Sequence, residues 1–328
     1  MLCGVAPPEP VFVYCLMLRE CRCSPIFLRL PDVLQCTLIA LDCTGGRMEI
    51  EPLALANVLL PLLRQFCIGD YGIALGGAHA KGVADAESDV DLYLFARRFV
   101  PSEERTRLCH DFSSSITGVV NWGDDDFFVQ GGTDFYFEEQ KIECWLRDSD
   151  YIANAIVECR EGMIRRDFVT WTVMGFYNHC VLSDVSHMIP VDDPENLLAG
   201  WKEQVRDYPP LLRDAIIRTH LTAARFWPDN YHYQAAVQRG DLIYAMGIVQ
   251  QVIHNLIQVV FALNHTYFTG DKKLGNALDH MAIAPLDFNE RIDRLLLSGP
   301  GSAADFLIRQ RDDLRLLVRE VEGLVADH

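Results

Sequence analysis

The sequence predicts an α+β chain: a small mixed β-sheet with flanking helices, followed by an all-α helical bundle. Three observations lead there. From Met48 to about Asp150, short β-like apolar runs are interleaved with helical periods. From Tyr151 onward strand signals fade and helical spacing takes over. With 328 residues, half of them hydrophobic and 23% charged, the chain is long enough for two cores.

Residues 1–47 stand apart. They are rich in Cys, Pro and Leu and lack a sustained period. Six of the eleven cysteines lie here (Cys3, Cys15, Cys21, Cys23, Cys36 and Cys43), with no C-x-x-C pair, which argues against a zinc site. We expect translation to start naturally at Met48, with 1–47 an atypical extension or mis-assigned start. Residues 48–150 are then the sheet domain and 151–328 the helical domain.

Within the sheet domain the spacing predicts a helix over Glu51–Phe66, strands at Gly72–Leu75 and Val90–Phe95, and a helix over Ser102–Ser115. Ser102 is its expected N-cap, with Arg105 and Arg107 on its wet face. Asp134–Glu138 and Lys141–Leu146 alternate as a hairpin turning at Glu139-Gln140. Helices are then expected at Tyr151–Glu161, Asp167–Leu182, Pro194–Tyr208, Pro210–Phe226, Tyr233–Asn264 and Ala303–Ala326. The long one spaces Ile243, Met246, Val249, Ile253, Leu256 and Val260 along one face. Cys67, Cys109, Cys144, Cys159 and Cys180 sit in apolar contexts and read as buried free thiols.

The formal net charge is −17, with 46 acidic against 29 basic residues. That balance argues against general nucleic-acid binding, which depends on neutralising phosphates. It suits a cationic small substrate, or simple solubility. The apolar runs near Leu53–Leu63 and Val252–Leu263 are short for a bilayer span, and the N-terminus lacks a basic secretory start, so no membrane association and a cytoplasmic location are expected.

Residues 72–95 read GIALGGAHAKGVADAESDVDLYLF. An apolar strand runs into Gly76-Gly77, a small-residue loop follows, and a second strand opens as Ser88-Asp89-Val90-Asp91-Leu92. Asp89 and Asp91, two apart on a strand, face the same way. Two carboxylates beside a glycine turn suit a metal–nucleotide site.

This pattern resembles the nucleotidyltransferase superfamily that includes DNA polymerase beta, and most closely the bacterial aminoglycoside-type enzymes and their relatives. Eleven residues separate Gly77 from Asp89, within that family's range, and Ala80, Gly82, Ala84-Asp85 and Ser88 extend the match. Ala78 stands where many relatives have Ser or Thr; backbone N–H groups remain to hold phosphates. The resemblance implies two Mg²⁺ ions and a nucleoside triphosphate, ATP by preference. Asp89 and Asp91 would be metal ligands. Gly76, Gly77 and Ser88 would lie against the nucleotide, although Ser88 reads equally as a turn cap. His79 and Lys81 read as solvated loop residues.

Transfer chemistry needs a third carboxylate downstream in an apolar strand. Glu143, in Lys141-Ile142-Glu143-Cys144-Trp145-Leu146-Arg147-Asp148, fits as metal ligand or base. Ile142 and Cys144 point one way, while Glu143 points the other with Lys141 and Trp145. The segment resembles the family's third motif; Asp148, past the strand end, is the fallback. Residues 239–274, RGDLIYAMGIVQQVIHNLIQVVFALNHTYFTGDKKL, resemble the long helix and following lysine turn of the same enzymes. Asp241 is thereby a candidate acceptor-binding residue or base, or else a helix cap. Lys272 and Lys273 are candidates for the triphosphate, or else solvated, and Asn264 is expected to cap the turn. Asp124–Asp126 read as a solvated acidic loop, and His220, His254 and His265 as packing or surface residues.

The expected activity is transfer of a nucleoside monophosphate to a hydroxyl of a small molecule, an aminoglycoside-like compound being the first choice. The alternatives are a protein or tRNA acceptor, as in toxin–antitoxin nucleotidyltransferases, and a non-catalytic nucleotide-binding module.

Overall fold

The computed structural model describes residues 51–123, 129–169, 172–297 and 302–328. The cysteine-rich 1–47 segment, the expected start at Met48 and the Asp124–Asp126 run lie outside the described residues. Ala56–His328 form one compact unit. Before it, the described residues from Glu51 open the first helix. There Glu51 Oε2 accepts the Ala54 N–H at 2.8 Å.

The first half runs α1 (Pro52–Phe66), β1 (Cys67–Leu75), α2 (Gly77–Lys81), β2 (Val90–Phe99), α3 (Ser102–Phe112), β3 (Ile116–Trp122), β4 (Val129–Phe137), β5 (Gln140–Asp148) and α4 (Ser149–Arg160). Then follow β6 (Arg166–Asp167), β7 (Phe176–Tyr177), α5 (Cys180–His187), β8 (Ile189–Asp192), α6 (Leu197–Gln204), α7 (Pro210–Phe226) and α8 (Tyr231–Arg239). The chain ends with α9 (Leu242–Leu263), α10 (Leu274–Leu278), α11 (Phe288–Leu296) and α12 (Ala303–Asp327).

The main sheet has strand order β3-β4-β5-β2-β1-β8. β2 and β5 pair in parallel at its centre, and every other neighbouring pair is antiparallel. This is the mixed sheet with flanking helices that the alternating patterns predict, followed by a largely helical region. One edge strand, β8, comes from that later region.

Residues of β2 alternate between two apolar layers. Leu92 and Leu94 face one way and are fully buried. Tyr93 and Phe95 face the other and join the core of the helical half, where the Phe95 ring meets Trp201 edge-on at 5.4 Å. The sheet and the helical region are therefore locked together through one side of β2. At the centre of the helical core lies α9, flanked by α7, α8, α11 and α12. It is long and apolar enough to cross a membrane, but 78% of its apolar window is buried inside the fold, as expected of a core helix.

Several local expectations change. The expected helix over Asp167–Leu182 is replaced by the β6–β7 hairpin and α5. Gly175, at φ +84, sits in that turn. The long helix expected from Tyr233 breaks at Gly240, which adopts φ +68 as the C-cap of α8; α9 then restarts with Asp241 as its N-cap. Ile243, read as part of the buried stripe, is 90% exposed, because the apolar stripe of the new helix begins at Ala245. Strand β3 was not legible as a strand.

Arg105 is not on a wet face. It is buried, donating from Nε to Thr133 Oγ1 at 2.8 Å and from Nη1 to the Val100 carbonyl at 2.7 Å. Thr133 in turn donates to Asn121 Oδ1, and Asn121 Nδ2 donates to Thr106 Oγ1, both at 2.8 Å. This network staples α3 across β3 and β4. Arg107 is exposed as expected, paired with Glu104 and Asp111. Pro101, not Ser102, occupies the N-cap position of α3.

Arg105→Ala removes a buried guanidinium and leaves Thr133 and the Val100 carbonyl short of a donor. It should cost roughly 2–4 kcal/mol of unfolding free energy, read as a lowered urea midpoint. Arg107→Ala should leave the midpoint nearly unchanged.

Candidate active site

The parallel register of β2 and β5 sets Asp91 opposite Glu143, and the antiparallel register of β4 and β5 sets Glu143 opposite Asp134. Three carboxylates thus form one row across three adjacent strands, on the same sheet face as Tyr93 and Trp145. Asp89 immediately precedes β2 and joins the row through Lys141, whose Nζ donates to Asp89 Oδ2 at 2.8 Å and to Glu143 Oε1 at 2.6 Å. The sequence pattern anticipated Asp89, Asp91 and Glu143 on one face, with Ile142 and Cys144 buried on the other, and the structure brings these three together.

Asp134 was missed, for a specific reason. The hairpin turns at Glu138-Glu139, both at positive φ, so Phe137 pairs with Gln140. Placing the turn one residue later sets Tyr136 opposite Glu143 and moves Asp134 along the same face to a position opposite Trp145. The two consecutive glutamates gave no left-handed signal of the Asn-Gly kind. Asp134 Oδ1 accepts the Trp122 indole N–H at 2.9 Å, and Trp122 lies edge-on to Trp145 with centroids 4.9 Å apart. Gly132 leaves room for that indole: a Cβ there would come within 2.3 Å of the Trp122 ring.

The glycine pair is required by packing. A Cβ on Gly76 would meet the Tyr93 ring at 2.3 Å. Gly77 adopts φ +58, and a Cβ there would stand 1.7 Å from Asp91 Oδ2. The Gly76 N–H donates to the Asp91 carbonyl at 2.9 Å, and the Gly77 N–H donates to Tyr93 Oη at 3.1 Å. The turn is thus pinned directly over the second aspartate.

Electrostatics mark Asp91 out. Burial, together with the charges of Glu143, Asp89 and Asp184, pushes its carboxyl up to about 7. Asp134 is also raised, by burial first and by Glu143 and Asp89 after it, against the Trp122 hydrogen bond. Lys141 is held well above the usual ammonium range by its hydrogen bonds to Asp89 and Glu143. Behind the row, Asp184 of α5 pairs with Lys81 at 3.3 Å and with the buried Arg147 at 2.9 Å. Burial works against its charge, yet Lys81 and Arg147 hold its carboxyl below the usual value. Lys81, read from sequence as solvated, is therefore an ion-pair residue tying α2 to α5.

The remaining candidates are placed as follows. Ser88 Oγ accepts the Asp85 N–H and donates to Asp85 Oδ1, both at 2.9 Å, so it caps the loop before β2. Lys273 is exposed and pairs with Asp85 at 3.1 Å, which brings the turn after α9 against that loop; Lys272 is exposed beside it. Asp241 is exposed and accepts the Tyr244 N–H at 3.4 Å as the N-cap of α9. None of its contacts reaches the carboxylate row. Asp148 caps α4, accepting from the Asp150 and Tyr151 N–H groups. Asn264 caps α9 and bridges to Ile283.

Among the described residues no three His, Cys, Asp or Glu side chains already converge on one ion. The donor chemistry nonetheless fits a hard cation: the row is all carboxylate oxygen, Asp91 is raised by burial and by the neighbouring acids, and the Lys141 ammonium stands between Asp89 and Glu143 where a cation belongs. An ion entering between those two would displace that ammonium.

A family model described as a domain of unknown function (DUF4037) matches residues 179–273. Among solved structures the chain is similar to a nucleotidyltransferase-like protein from Exiguobacterium sibiricum 255-15, at 13% identity and a TM-score of 0.42, over 84% of this chain and 78% of that one. At that level the likeness assigns neither substrate nor reaction. No curated protein matches the sequence.

Two outcomes follow from the geometry. Gly77→Ala should destabilise by about 2 kcal/mol or more, and Asp91→Ala in the same chain should return part of that loss in a double-mutant cycle of thermal unfolding. For Asp91 the folded carboxyl lies above its unfolded value of 3.8, so its contribution to stability is complete below about pH 4 and is lost as pH rises through about 7. With chelator present, Asp91→Asn should therefore be more stable than the wild type at pH 8, by roughly 1–3 kcal/mol, and the gap should close towards pH 5 in urea titrations.

Proposed function

We propose that the protein transfers a nucleoside monophosphate from a nucleoside triphosphate, ATP by preference, to a hydroxyl acceptor, with Mg²⁺ held by Asp89, Asp91 and Glu143. The observation that carries this reading is the in-register row Asp91–Glu143–Asp134, with Asp89 beside it and the Gly76-Gly77 turn pinned over Asp91. Carboxylates held this close in a half-buried row are costly unless a cation offsets them. Mg²⁺ bound there would neutralise charge on the triphosphate and on the departing pyrophosphate.

The chain's own groups divide the remaining work. Glu143 Oε or Asp134 Oδ2 accepts the proton of the acceptor hydroxyl; the freed oxygen bonds to the α-phosphorus as the bond to pyrophosphate breaks. Asp134 suits proton transfer because its carboxyl is raised and its other oxygen is fixed by Trp122. The partly exposed Trp122–Trp145 pair forms an apolar wall beside the row. The net charge of −17 favours a cationic small-molecule acceptor.

A second reading has its own support. Lys141 bridges Asp89 and Glu143 as an internal counter-cation, the arrangement expected of a nucleotide-binding module without catalysis.

Incubation with Mg²⁺, each α-labelled nucleoside triphosphate, and pools of aminoglycosides, tRNA and cell protein separates these readings. Label on a small molecule is the expected outcome, and it should fall to background in an Asp89→Ala/Asp91→Ala variant that retains its circular dichroism spectrum. Glu143→Gln should slow transfer by roughly 100-fold or more. Retained nucleotide binding with no transfer to any pool would establish the non-catalytic reading instead.

A further inference from the structure

A polar cavity of about 350 Å³ lies in the helical half among the segment after α4, β6, β7, α7 and α9. Its composition opposes that of the protein. The chain carries 46 Asp and Glu residues, yet none lines this cavity, while Arg166 and Arg218 both do. On α7 the lining residues Ala215, Arg218, Thr219 and Ala223 share one helical face, and the two alanines leave space between the polar side chains.

Neither arginine has a carboxylate partner among the described residues. The Arg166 guanidinium lies over the Tyr177 ring at 5.6 Å, and its Nε is buried without a hydrogen-bond partner. Arg218 stands exposed at the rim. Two guanidiniums with no paired acid present a fork-shaped donor set suited to a carboxylate or phosphate.

His220 also lines the cavity. His220 is 3% exposed, with Nδ1 2.7 Å from Asn255 Oδ1. The Asn255 amide is oriented by its own Nδ2, which donates to the Gln251 carbonyl at 2.7 Å. The oxygen therefore faces the imidazole, so Nδ1 carries the hydrogen and Nε2 carries a lone pair. That Nε2 is buried and unpartnered. A buried acceptor left unpaired is costly, and a donor on a bound molecule removes that cost.

We propose that this cavity binds a small hydroxylated anion, with its phosphate or carboxylate on Arg166 and Arg218 and a hydroxyl donating to His220 Nε2. The volume lies at the small end of ligand cavities, about 300–1,000 Å³, which suits a compact metabolite better than a nucleoside triphosphate.

Isothermal titration calorimetry on the full chain tests this with glycerol 3-phosphate, citrate and uncharged glycerol. Saturable one-to-one binding of glycerol 3-phosphate or citrate, with none of glycerol, is expected; which anion binds identifies the head group. Arg218→Glu, at an exposed position that spares the fold, should weaken binding by at least about tenfold. Binding should also shift the His220 imidazole nitrogen signal in NMR, and Asp89→Asn should bind as the wild type does. No saturable binding of either anion, binding indifferent to Arg218→Glu, or binding lost in Asp89→Asn would each overturn the proposal.

Discussion

The concentration of like charge around Asp91 is the constraint from which the rest of the site follows. Parallel pairing of the two central strands places Glu143 directly across from it, and Asp89 and Asp134 add to the same field. In a half-buried position such repulsion persists only where the surrounding structure over-determines it. Gly77 supplies part of that support, since no other residue fits both its backbone angle and its distance from the Asp91 carboxylate. Lys141 supplies the local counter-charge.

A second charged knot joins the sheet to the helical half. Arg147 leaves the same face of β5 as Glu143, lies 4.9 Å over the Tyr93 ring, and reaches Asp184 on α5. Lys81, from the short helix after the glycine turn, meets the same carboxylate. Asp184 thus holds the glycine turn, the central strand and α5 together while contributing to the field on Asp91. Any movement of α5 changes both the position of the turn and the charge felt at the row. The cavity at Arg166 and His220 reverses this electrostatic pattern, because acids are excluded from it and cations are left open.

Legibility from sequence followed the range of the interactions. Asp89, Asp91 and the glycine pair lie within sixteen residues, and strand alternation alone places the two aspartates on one face. Glu143 was found because an acid between buried Ile142 and Cys144 has one reasonable orientation. Asp134 depended on strand register, and a one-residue error in the turn moved the pairing. Arg105 looked like a surface arginine because nothing local reveals that Thr133 and the Val100 carbonyl await it. The break at Gly240 was misread because apolar spacing continues across it, while the chain reverses into a left-handed cap.

By itself the sequence determined the α+β order of elements, the glycine turn, and the two aspartates with a third acid downstream. These follow from local periodicity and side-chain chemistry, which act over a few residues. The tertiary structure decided which charges meet: Lys141 between two acids, Asp184 between two bases, Asp134 beside Glu143, and Lys273 against Asp85 instead of open solvent. It also made Asp241 the N-cap of α9 and left His220 Nε2 buried without a hydrogen-bond partner. Such pairings depend on register and packing between segments far apart in the chain, and those are set only when the whole apolar core closes.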